Sequence, residues 1–451
     1  MARLADLFLL NQAGRFTALE GVRGLAVLMV FLFHFATAHS PKGFFLGEND
    51  LLRTALAVLT AGHIGVDLFF LLSGFLIYHS STSKGLGAAE FMERRYRRLV
   101  PAYMFSIVLV EAIRMGGDPA GWTVAAVLLA VYVAARAVRA VARLEQSAYR
   151  AYWAMTAALF TAAALLTLFW RSSTLDAPAL PRYLLNLGLN AVFLQYYFVD
   201  YVSINFVTWT QAVEFLFYFG FAVYLRCRRG PRATAVALLL IALPLALYLF
   251  QGPIAAILRG HGFALAPMER FTAFLVGVGL AKLYENVQLW KLFTRFAAPL
   301  AMPGLLLIPA VQYAWVARVS ESRDQVELDL FYGVVSLLGF FVMVGALTPR
   351  GAVHRIFNWA PLRALGALSY SFYLVHFSVI ATFYYLLRPY SLPEMVLHLA
   401  ASLTATVAVS SISFCLLERP YFVERARRAA TSTRPAATML GASAELPYPT
   451  K

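Results

Sequence analysis

Long apolar runs separated by short polar connections dominate the pattern along the chain. Each run is about 20 residues long, the length at which a helix crosses the apolar core of a bilayer. This pattern predicts an all-α fold, a polytopic transmembrane helix bundle of about 12 spans. The candidate spans lie near 21–38, 62–79, 99–114, 121–135, 151–170, 205–225, 233–250, 263–281, 296–317, 329–348, 364–387 and 395–417.

The composition agrees with a membrane protein. Hydrophobic residues make up 61% of the 451 residues and charged residues only 14%, whereas soluble domains carry about 45–50% and about 25%. Two cysteines are too few for a disulfide framework or a multi-cysteine metal site. In so apolar a chain, the net charge of +15 favours basic cytoplasmic loops over nucleic acid as its explanation.

Basic residues are concentrated in every second connection between spans. The loop 81–98 holds five of them, while the odd-numbered connections carry one or two each. By the positive-inside rule, this alternation predicts that both termini are cytoplasmic. Residues 1–20 then form a cytoplasmic N-terminal segment, and the small, polar, proline-dotted residues 429–451 form a disordered cytoplasmic tail.

Span 1 contains two ionisable residues, Arg23 and His34, which are costly inside a bilayer and therefore suggest function. Eleven residues apart, they return to nearly the same helix face, about 16 Å from each other. Arg23 is expected at the cytoplasmic edge and His34 near mid-membrane. A buried histidine can accept or donate a proton near working pH. The spacing equally allows a histidine that only bonds a neighbouring helix.

Spans 2, 6 and 8 carry further polar residues. Asp67 lies about 7 Å deep and could orient a histidine, bind substrate or pair with an arginine. Glu214, with Tyr218 one turn later, lies about 13 Å from the outer edge, and Arg270 lies about 10 Å from it. An ion pair between Glu214 and Arg270 is the structural alternative to a functional role. Gly74 in span 2 is interpreted as a close-packing point between helices.

Span 11 places Ser369, Tyr373 and His376 at helical offsets 0, 4 and 7, on one stripe. His376 is about 18 Å from the cytoplasmic end, again near the midplane. The depths suggest a basic cytoplasmic mouth below a deeper layer of His34, Asp67, Glu214, Arg270 and His376. The depth of a residue does not show which side of its helix it occupies, so the convergence of these side chains on one cavity is a hypothesis. A transporter could build a similar layer.

The loop before span 3 reads FMERRYRRLVPAY and contains two overlapping Arg-x-x-Arg pairs, Arg94/Arg97 and Arg95/Arg98. Arginine forms bidentate contacts with phosphate, so a diphosphate-bearing cytosolic ligand is a candidate guest. Anionic lipid headgroups are the competing ligand.

Taken in order, seven segments resemble the membrane-bound acyltransferase 3 family. Its members transfer acetyl or other short acyl groups to sugars of surface polysaccharides, peptidoglycan or glycosylated secondary metabolites. The segments, within residues 19 to 422, are LEGVRGLAVLMVFLFHF, GHIGVDLFFLLSGFLI, FMERRYRRLVPAY, WTQAVEFLFY, RFTAFLVGVGLA, LGALSYSFYLVH and LERPYF.

The resemblance implies site residues and an organisation. The family's Arg-x10-His pair falls on Arg23 and His34, and its other motif positions fall on the Arg-x-x-Arg pairs, Asp67, Glu214, Ser369, Tyr370 and His376. Gln211 stands where the family usually has leucine. Residues 21–422 form the membrane domain, with ten core spans and an inserted helical hairpin at about 121–170. A bacterial inner membrane is the implied location.

The resemblance also implies a reaction. A cytosolic acyl-CoA, with acetyl-CoA the expected donor, acylates a sugar hydroxyl of a glycan or a glycosylated small molecule. Arg94, Arg97 and Arg23 hold the donor phosphates, with Arg95 and Arg98 in the second register. His34 is a general base or an acyl carrier, Glu214 or Asp67 orients it or the acceptor, and Arg270 or His376 stabilises the oxyanion. Tyr218 and Ser369 contact substrate.

The implied partners are the glycan acceptor, membrane lipids and separate glycan-assembly proteins, with no nucleic acid, no metal and no permanently bound cofactor. Two alternatives stay open from the residues alone. One is a transporter or flippase of a glycan or acyl donor, and the other is a catalytically inactive assembly factor.

Overall fold

The polypeptide is helical wherever the structure describes it. The computed structural model describes residues 16–39, 59–114, 179–198, 203–260, 270–319, 325–389 and 391–423, and no strand forms within them. In these ranges the α-helices are α1 (Thr17–His39), α2 (Gly65–Thr82), α3 (Ala88–Arg114), α4 (Ala179–Ala191), α5 (Trp209–Cys227), α6 (Ala233–Leu249), α7 (Gln251–Gly260), α8 (Phe271–Glu285), α9 (Val287–Ala297), α10 (Ala301–Val319), α11 (Gln325–Leu347), α12 (Ala352–Phe357), α13 (Ala360–Leu387) and α14 (Leu392–Ser413). Shorter turns lie at Thr60–Ile64, Gln195–Tyr197, Phe206–Thr208 and, with π-helical geometry, at Phe414–Glu418.

Six described helices are long and apolar enough to cross a membrane, and a seventh span is gained if α9 and α10 count as one. The chain is therefore a multi-pass helical membrane protein, as the apolar runs predict. Of the twelve predicted spans, those near 121–135 and 151–170, which make up the inserted hairpin, lie outside the described residues. The tail 429–451 lies outside them as well. The spans that pass the length and hydropathy criteria are Thr17–His39, Gly62–Thr82, Phe206–Cys227, Leu330–Leu347, Ala360–Leu387 and Leu392–Val423.

Four predicted spans differ from the observed helices. The predicted span 99–114 is only the second half of α3, which begins at Ala88 and so takes the arginine-rich loop into a helix. Helices α6 and α8 have 17 and 15 described residues, against about 20 for a typical crossing, and the first part of the predicted span 263–281 lies outside the described residues. The predicted span 296–317 is replaced by α9 and α10, which meet at a bend of 60°. The side chain of Asn286 caps the start of α9, accepting a hydrogen bond from the Leu289 amide at 3.1 Å.

Glycines let two pairs of helices touch backbone to backbone. A Cβ on Gly24 of α1 would lie 2.0 Å from the Leu362 carbonyl oxygen of α13, and one on Gly366 would lie 1.8 Å from the Glu20 carbonyl oxygen. Helices α2 and α8 meet in the same way, because a Cβ on Gly74 would lie 2.1 Å from the Phe274 carbonyl oxygen. The interpretation of Gly74 as a packing point is confirmed. Such small-residue contacts are a main source of helix association in membranes, and they fix α1 against α13.

Gly366→Ala is expected to destabilise the protein by about 2 kcal/mol, because its new methyl group meets rigid backbone. The measurement is the melting temperature of purified protein in detergent. Gly279→Ala on α8 is the matched control, since a Cβ there meets no described atom within 4 Å and alanine favours a helix over glycine. Equal melting temperatures for the two variants would contradict close contact between α1 and α13.

Candidate active site

Three of the four arginines in the Arg-x-x-Arg pairs line one cavity because α3 carries them as a helix. At about 100° per residue, Arg94, Arg98 and Arg95 fall within an arc of about 100°, and all three line the cavity. Arg97 lies outside that arc and forms an ion pair with Glu93 one turn earlier. The cavity therefore takes the pair Arg95/Arg98 together with Arg94, but not Arg97.

The cavity has a volume of about 690 Å³ and extends from the basic residues into the bundle. At its basic end it is lined by Arg23 of α1, Lys84 and the three arginines of α3. The remaining lining is mixed, with apolar rings and polar groups from α1, α2, α5 and α13. A long molecule with a charged head and a neutral tail suits this division. The polar residues in the deeper lining are Ser73, Thr210, Gln211, Glu214, Tyr218, Ser369, Tyr370 and Tyr373.

The segment after α14 helps to close the basic end. Phe422 lines the cavity next to Tyr421, and its ring lies 5.4 Å from the Arg98 guanidinium carbon. The Arg98 Nε atom is buried without a hydrogen-bond partner among the described residues. Arg98 is thus held by packing against an aromatic ring, and its Nε–H is not bonded to a carboxylate. This arrangement suits Arg98 to bind an anion.

Glu214 is the hydrogen-bonded centre of the deeper cavity wall. Its Oε1 accepts a hydrogen bond from the Ser73 hydroxyl of α2 at 3.0 Å and one from the Tyr218 hydroxyl one turn along α5. The Tyr218 ring also lies 5.8 Å from the Arg95 guanidinium carbon. The structure therefore does not form the Glu214–Arg270 ion pair that the similar depths allowed.

His34 and His376 form a hydrogen-bonded pair between α1 and α13. The His376 Nε2 atom lies 2.9 Å from the His34 Nδ1 atom, and the His376 side chain is fully buried. Aromatic rings surround His34, with Phe33 at 4.8 Å and Phe377 at 5.2 Å between ring centroids. The two histidines that depth alone placed near mid-membrane are in direct contact.

Neighbouring carbonyls determine which nitrogen of each histidine carries a proton. The Tyr373 carbonyl oxygen lies 2.7 Å from His376 Nδ1, and the Val30 carbonyl oxygen lies 3.0 Å from His34 Nδ1. Because a carbonyl can only accept, both Nδ1 atoms are donors. His376 Nε2 then accepts from His34 Nδ1–H, and Nε2 of neutral His34 carries the available lone pair.

The histidine pair is linked to the cavity through Tyr373. Neither histidine is among the described residues that line the cavity, but Tyr373 and Thr210 both are. The Thr210 hydroxyl lies 3.0 Å from the Tyr373 hydroxyl, and the Tyr373 backbone carbonyl accepts the His376 hydrogen bond. The cavity wall and the histidine pair therefore share one residue of α13.

Asp67 and Arg270 form a buried ion pair away from the cavity. Their side chains hydrogen-bond directly, and residue exposure is 3% for Asp67 and 8% for Arg270. Arg270 also donates to the Tyr332 hydroxyl at 2.7 Å and stacks on its ring at 4.0 Å. This geometry matches the alternative in which Asp67 pairs with an arginine. Arg270 therefore joins α2 and α11 at the start of α8, and its oxyanion role stays a prediction.

Sequence reasoning missed two residues of the cavity wall and left a third without a role. Ser73 is a single hydroxyl in an apolar stretch and Thr210 one of several polar residues at the start of a span, so spacing gave no signal for them. Gln211 was noted only as a departure from the family pattern, and it is 5% exposed and lines the cavity. Of the span 11 residues, Ser369 lines the cavity, whereas both ring nitrogens of His376 already have partners.

Comparison with known proteins supports the resemblance read from the motifs. A family model described as an acyltransferase domain, that of the acyltransferase 3 family, matches residues 16–415. The match includes all the cavity residues discussed above except Tyr421 and Phe422. No solved structure matches the chain.

Three relatives are similar over different lengths. The chain is 24% identical over 417 residues to the peptidoglycan O-acetyltransferase OatA of Listeria monocytogenes, covering 89% of this chain and 55% of that protein. It is 30% identical over 99 residues to the acyltransferase MdmB of Streptomyces mycarofaciens, covering 22% of this chain and 24% of that protein. Protein 2 in the picA locus of Rhizobium radiobacter is 29% identical over 102 residues, covering 22% of this chain and 45% of that protein. The chain spans about half or less of these relatives.

Proposed function

The chain belongs to the acyltransferase 3 family, and from that premise we propose that it is an integral-membrane O-acyltransferase acting on a sugar hydroxyl. The donor is a cytosolic acyl-CoA, with acetyl-CoA the first choice. One observation carries the proposal: a cavity with arginines at one end reaches a wall that is hydrogen-bonded to a buried histidine pair. This arrangement suits a phosphate-bearing donor and a proton transfer.

The charge distribution gives the orientation in this proposal. In this proposal both termini are cytoplasmic and the membrane is a bacterial inner membrane, and the basic connections support that orientation. The cavity is lined by Arg23 near the start of α1 and by Lys84 between α2 and α3, so its basic end then faces the cytosol. Acyl-CoA is a cytosolic metabolite, and it enters from that side.

The donor phosphates bind Arg95 and Arg98, with Arg94 and Arg23 at the rim. Guanidinium groups form charge-assisted, bidentate contacts with phosphate oxygens. These guanidinium groups can still bind phosphate, because their contacts within the protein leave donors for it. Arg98 lies against an aromatic ring, and Arg94 pairs with an exposed glutamate, Glu90. The acyl chain and its thioester then extend toward Glu214 and Tyr373.

His34 acts as general base through its Nε2 atom. The acceptor hydroxyl gives its proton to Nε2 while its oxygen attacks the thioester carbonyl. When the tetrahedral intermediate collapses, the C–S bond breaks and the departing thiolate takes the proton back from His34. The Val30 carbonyl and His376 Nε2 stabilise the transient imidazolium at Nδ1. In this scheme His376 positions His34 and does not bind the oxyanion.

The names of the relatives support the proposed acceptor class, which is broader than the acceptor named for any one of them. The name of OatA specifies peptidoglycan O-acetylation for that protein, and we propose a surface glycan, peptidoglycan included, or a glycosylated small molecule for this chain. Membrane lipids surround the bundle, and separate glycan-assembly proteins supply or receive the acceptor.

The test uses purified protein in nanodiscs with radiolabelled acetyl-CoA and a panel of candidate acceptors. Release of free CoA that depends on an acceptor, together with label on that acceptor, is the expected result. Glycans without a free hydroxyl at the acylated position serve as matched controls. Folded protein that binds CoA but never transfers label would contradict the enzyme and favour the transporter.

A further inference from the structure

Gln211 lies in the deeper cavity wall and has a buried polar atom that the described residues leave unbonded. Its Oε1 atom is buried and has no hydrogen-bond partner among the described residues, and the side chain is 5% exposed. Neighbouring polar groups on the wall are bonded: Glu214 accepts from Ser73, and Thr210 bonds Tyr373. A buried amide without a partner costs free energy, so its presence calls for a reason.

The position of Gln211 is suited to contact with a substrate. It lines the cavity in the first turn of α5, and Glu214 and Tyr218 follow at offsets of three and seven, on the same stripe of that helix. Sixteen residues separate it from Cys227, which places it about 24 Å from the basic end of α5. His34 lies at a similar distance, about 25 Å, from the start of α1. A contact joins the two regions, because the neighbouring Thr210 hydroxyl lies 3.0 Å from that of Tyr373, whose carbonyl oxygen bonds His376.

The other candidates for hydrogen bonding at this level are already occupied. Arg270 is bound to Asp67 and Tyr332, and His376 uses both ring nitrogens. An amide offers an oxygen acceptor and two N–H donors and exchanges them by rotating about its terminal bond. It is neutral, so it recognises a neutral polar group rather than a phosphate.

On the basis of the proposed function, we propose that Gln211 is a specificity residue that hydrogen-bonds a neutral N–H or O–H group of the substrate in the inner cavity. Two substrate groups have this chemistry. One is an amide in the arm that joins the donor's phosphates to its thioester, and the other is a hydroxyl of the acceptor sugar. A leucine at this position would provide no such bond.

The test compares wild type with Gln211→Leu by measuring KM for donor and acceptor separately, kcat and the melting temperature. The expected result is an increase of about 3- to 10-fold in KM for one substrate, the size of one neutral hydrogen bond. The melting temperature should stay level or rise, because an unbonded buried amide has been removed. An increase in donor KM identifies the donor amide, and an increase in acceptor KM identifies the hydroxyl.

Gln195→Leu is the matched control. Gln195 is also fully buried and its Oε1 likewise lacks a hydrogen-bond partner among the described residues, but its Nε2 bonds the Thr208 carbonyl oxygen at 3.4 Å and it does not line the cavity. Its replacement should lower the melting temperature and leave both KM values within about twofold. Wild-type turnover with unchanged KM values in Gln211→Leu, or a lower melting temperature for that variant, overturns the inference alone. Wild-type protein that transfers no acyl group overturns the proposed function and the inference with it.

Discussion

His34→Ala should lower kcat about 10³-fold, because it removes the base that accepts the hydroxyl proton. The affinity for CoA should stay within about twofold of wild type, since the arginines that bind phosphate are unchanged. Transfer of label from acetyl-CoA to the acceptor and equilibrium CoA binding are measured on the same preparations. The separation of the two readouts distinguishes loss of chemistry from loss of fold.

His39→Ala is the matched control for this prediction. His39 lies on the same helix and also contacts a histidine of another helix, with 3.0 Å between its Nε2 atom and His398 Nδ1. Its partner His398 bonds the Ile380 carbonyl oxygen and not a residue that lines the cavity, so replacement of His39 should leave kcat within a few-fold of wild type. Comparable kcat values for His34→Ala and His39→Ala would contradict a catalytic role for the pair His34–His376.

Arg98→Ala should raise the dissociation constant for CoA about 10- to 100-fold, the range expected for a lost charge-assisted contact with phosphate. Isothermal titration in nanodiscs at two salt concentrations measures it. The loss should shrink at high salt, because ions weaken the attraction between Arg98 and phosphate in the wild type. The kcat at saturating donor should change little, since no described hydrogen bond links Arg98 to the histidine pair.

Arg97→Ala is a control on the same helix with the same change in charge. Arg97 pairs with Glu93 and does not line the cavity, so its loss should change the dissociation constant by less than about twofold. An equal effect of the two substitutions would mean that general positive charge, and not the cavity, attracts the donor.

The sequence predicted how deep the two histidines lie in the membrane, but it did not predict which side chains would pair with each other. Rise per residue placed His34 and His376 near the same level, and the structure places them 2.9 Å apart. The same reasoning put Arg270 and Glu214 at similar depth, yet Arg270 pairs with Asp67 and Glu214 accepts from Tyr218. Rise per residue fixes one coordinate of a side chain, whereas its partner depends on the rotation of each helix about its axis.

The first half of α3, which the sequence analysis treated as a loop, decides which arginines line the cavity. Treated as a loop, residues 81–98 gave two equivalent Arg-x-x-Arg registers. As part of α3, they have a helical phase that turns Arg98 into the cavity and Arg97 toward Glu93. The many basic residues of this segment predicted a cytoplasmic loop. However, Glu90 and Glu93 lie one turn before Arg94 and Arg97, and such pairs stabilise a helix.

The contact between α1 and α13 also has a consequence for biosynthesis. The two histidines are 342 residues apart in sequence, and at about 5–20 residues per second a ribosome needs roughly 20–70 s to span that interval. Throughout this time His34 is already in the membrane without its partner. The proposed base acquires its partner only when α13 inserts and Gly366 docks against α1, so a nascent chain is expected to stay inactive until α13 is in place.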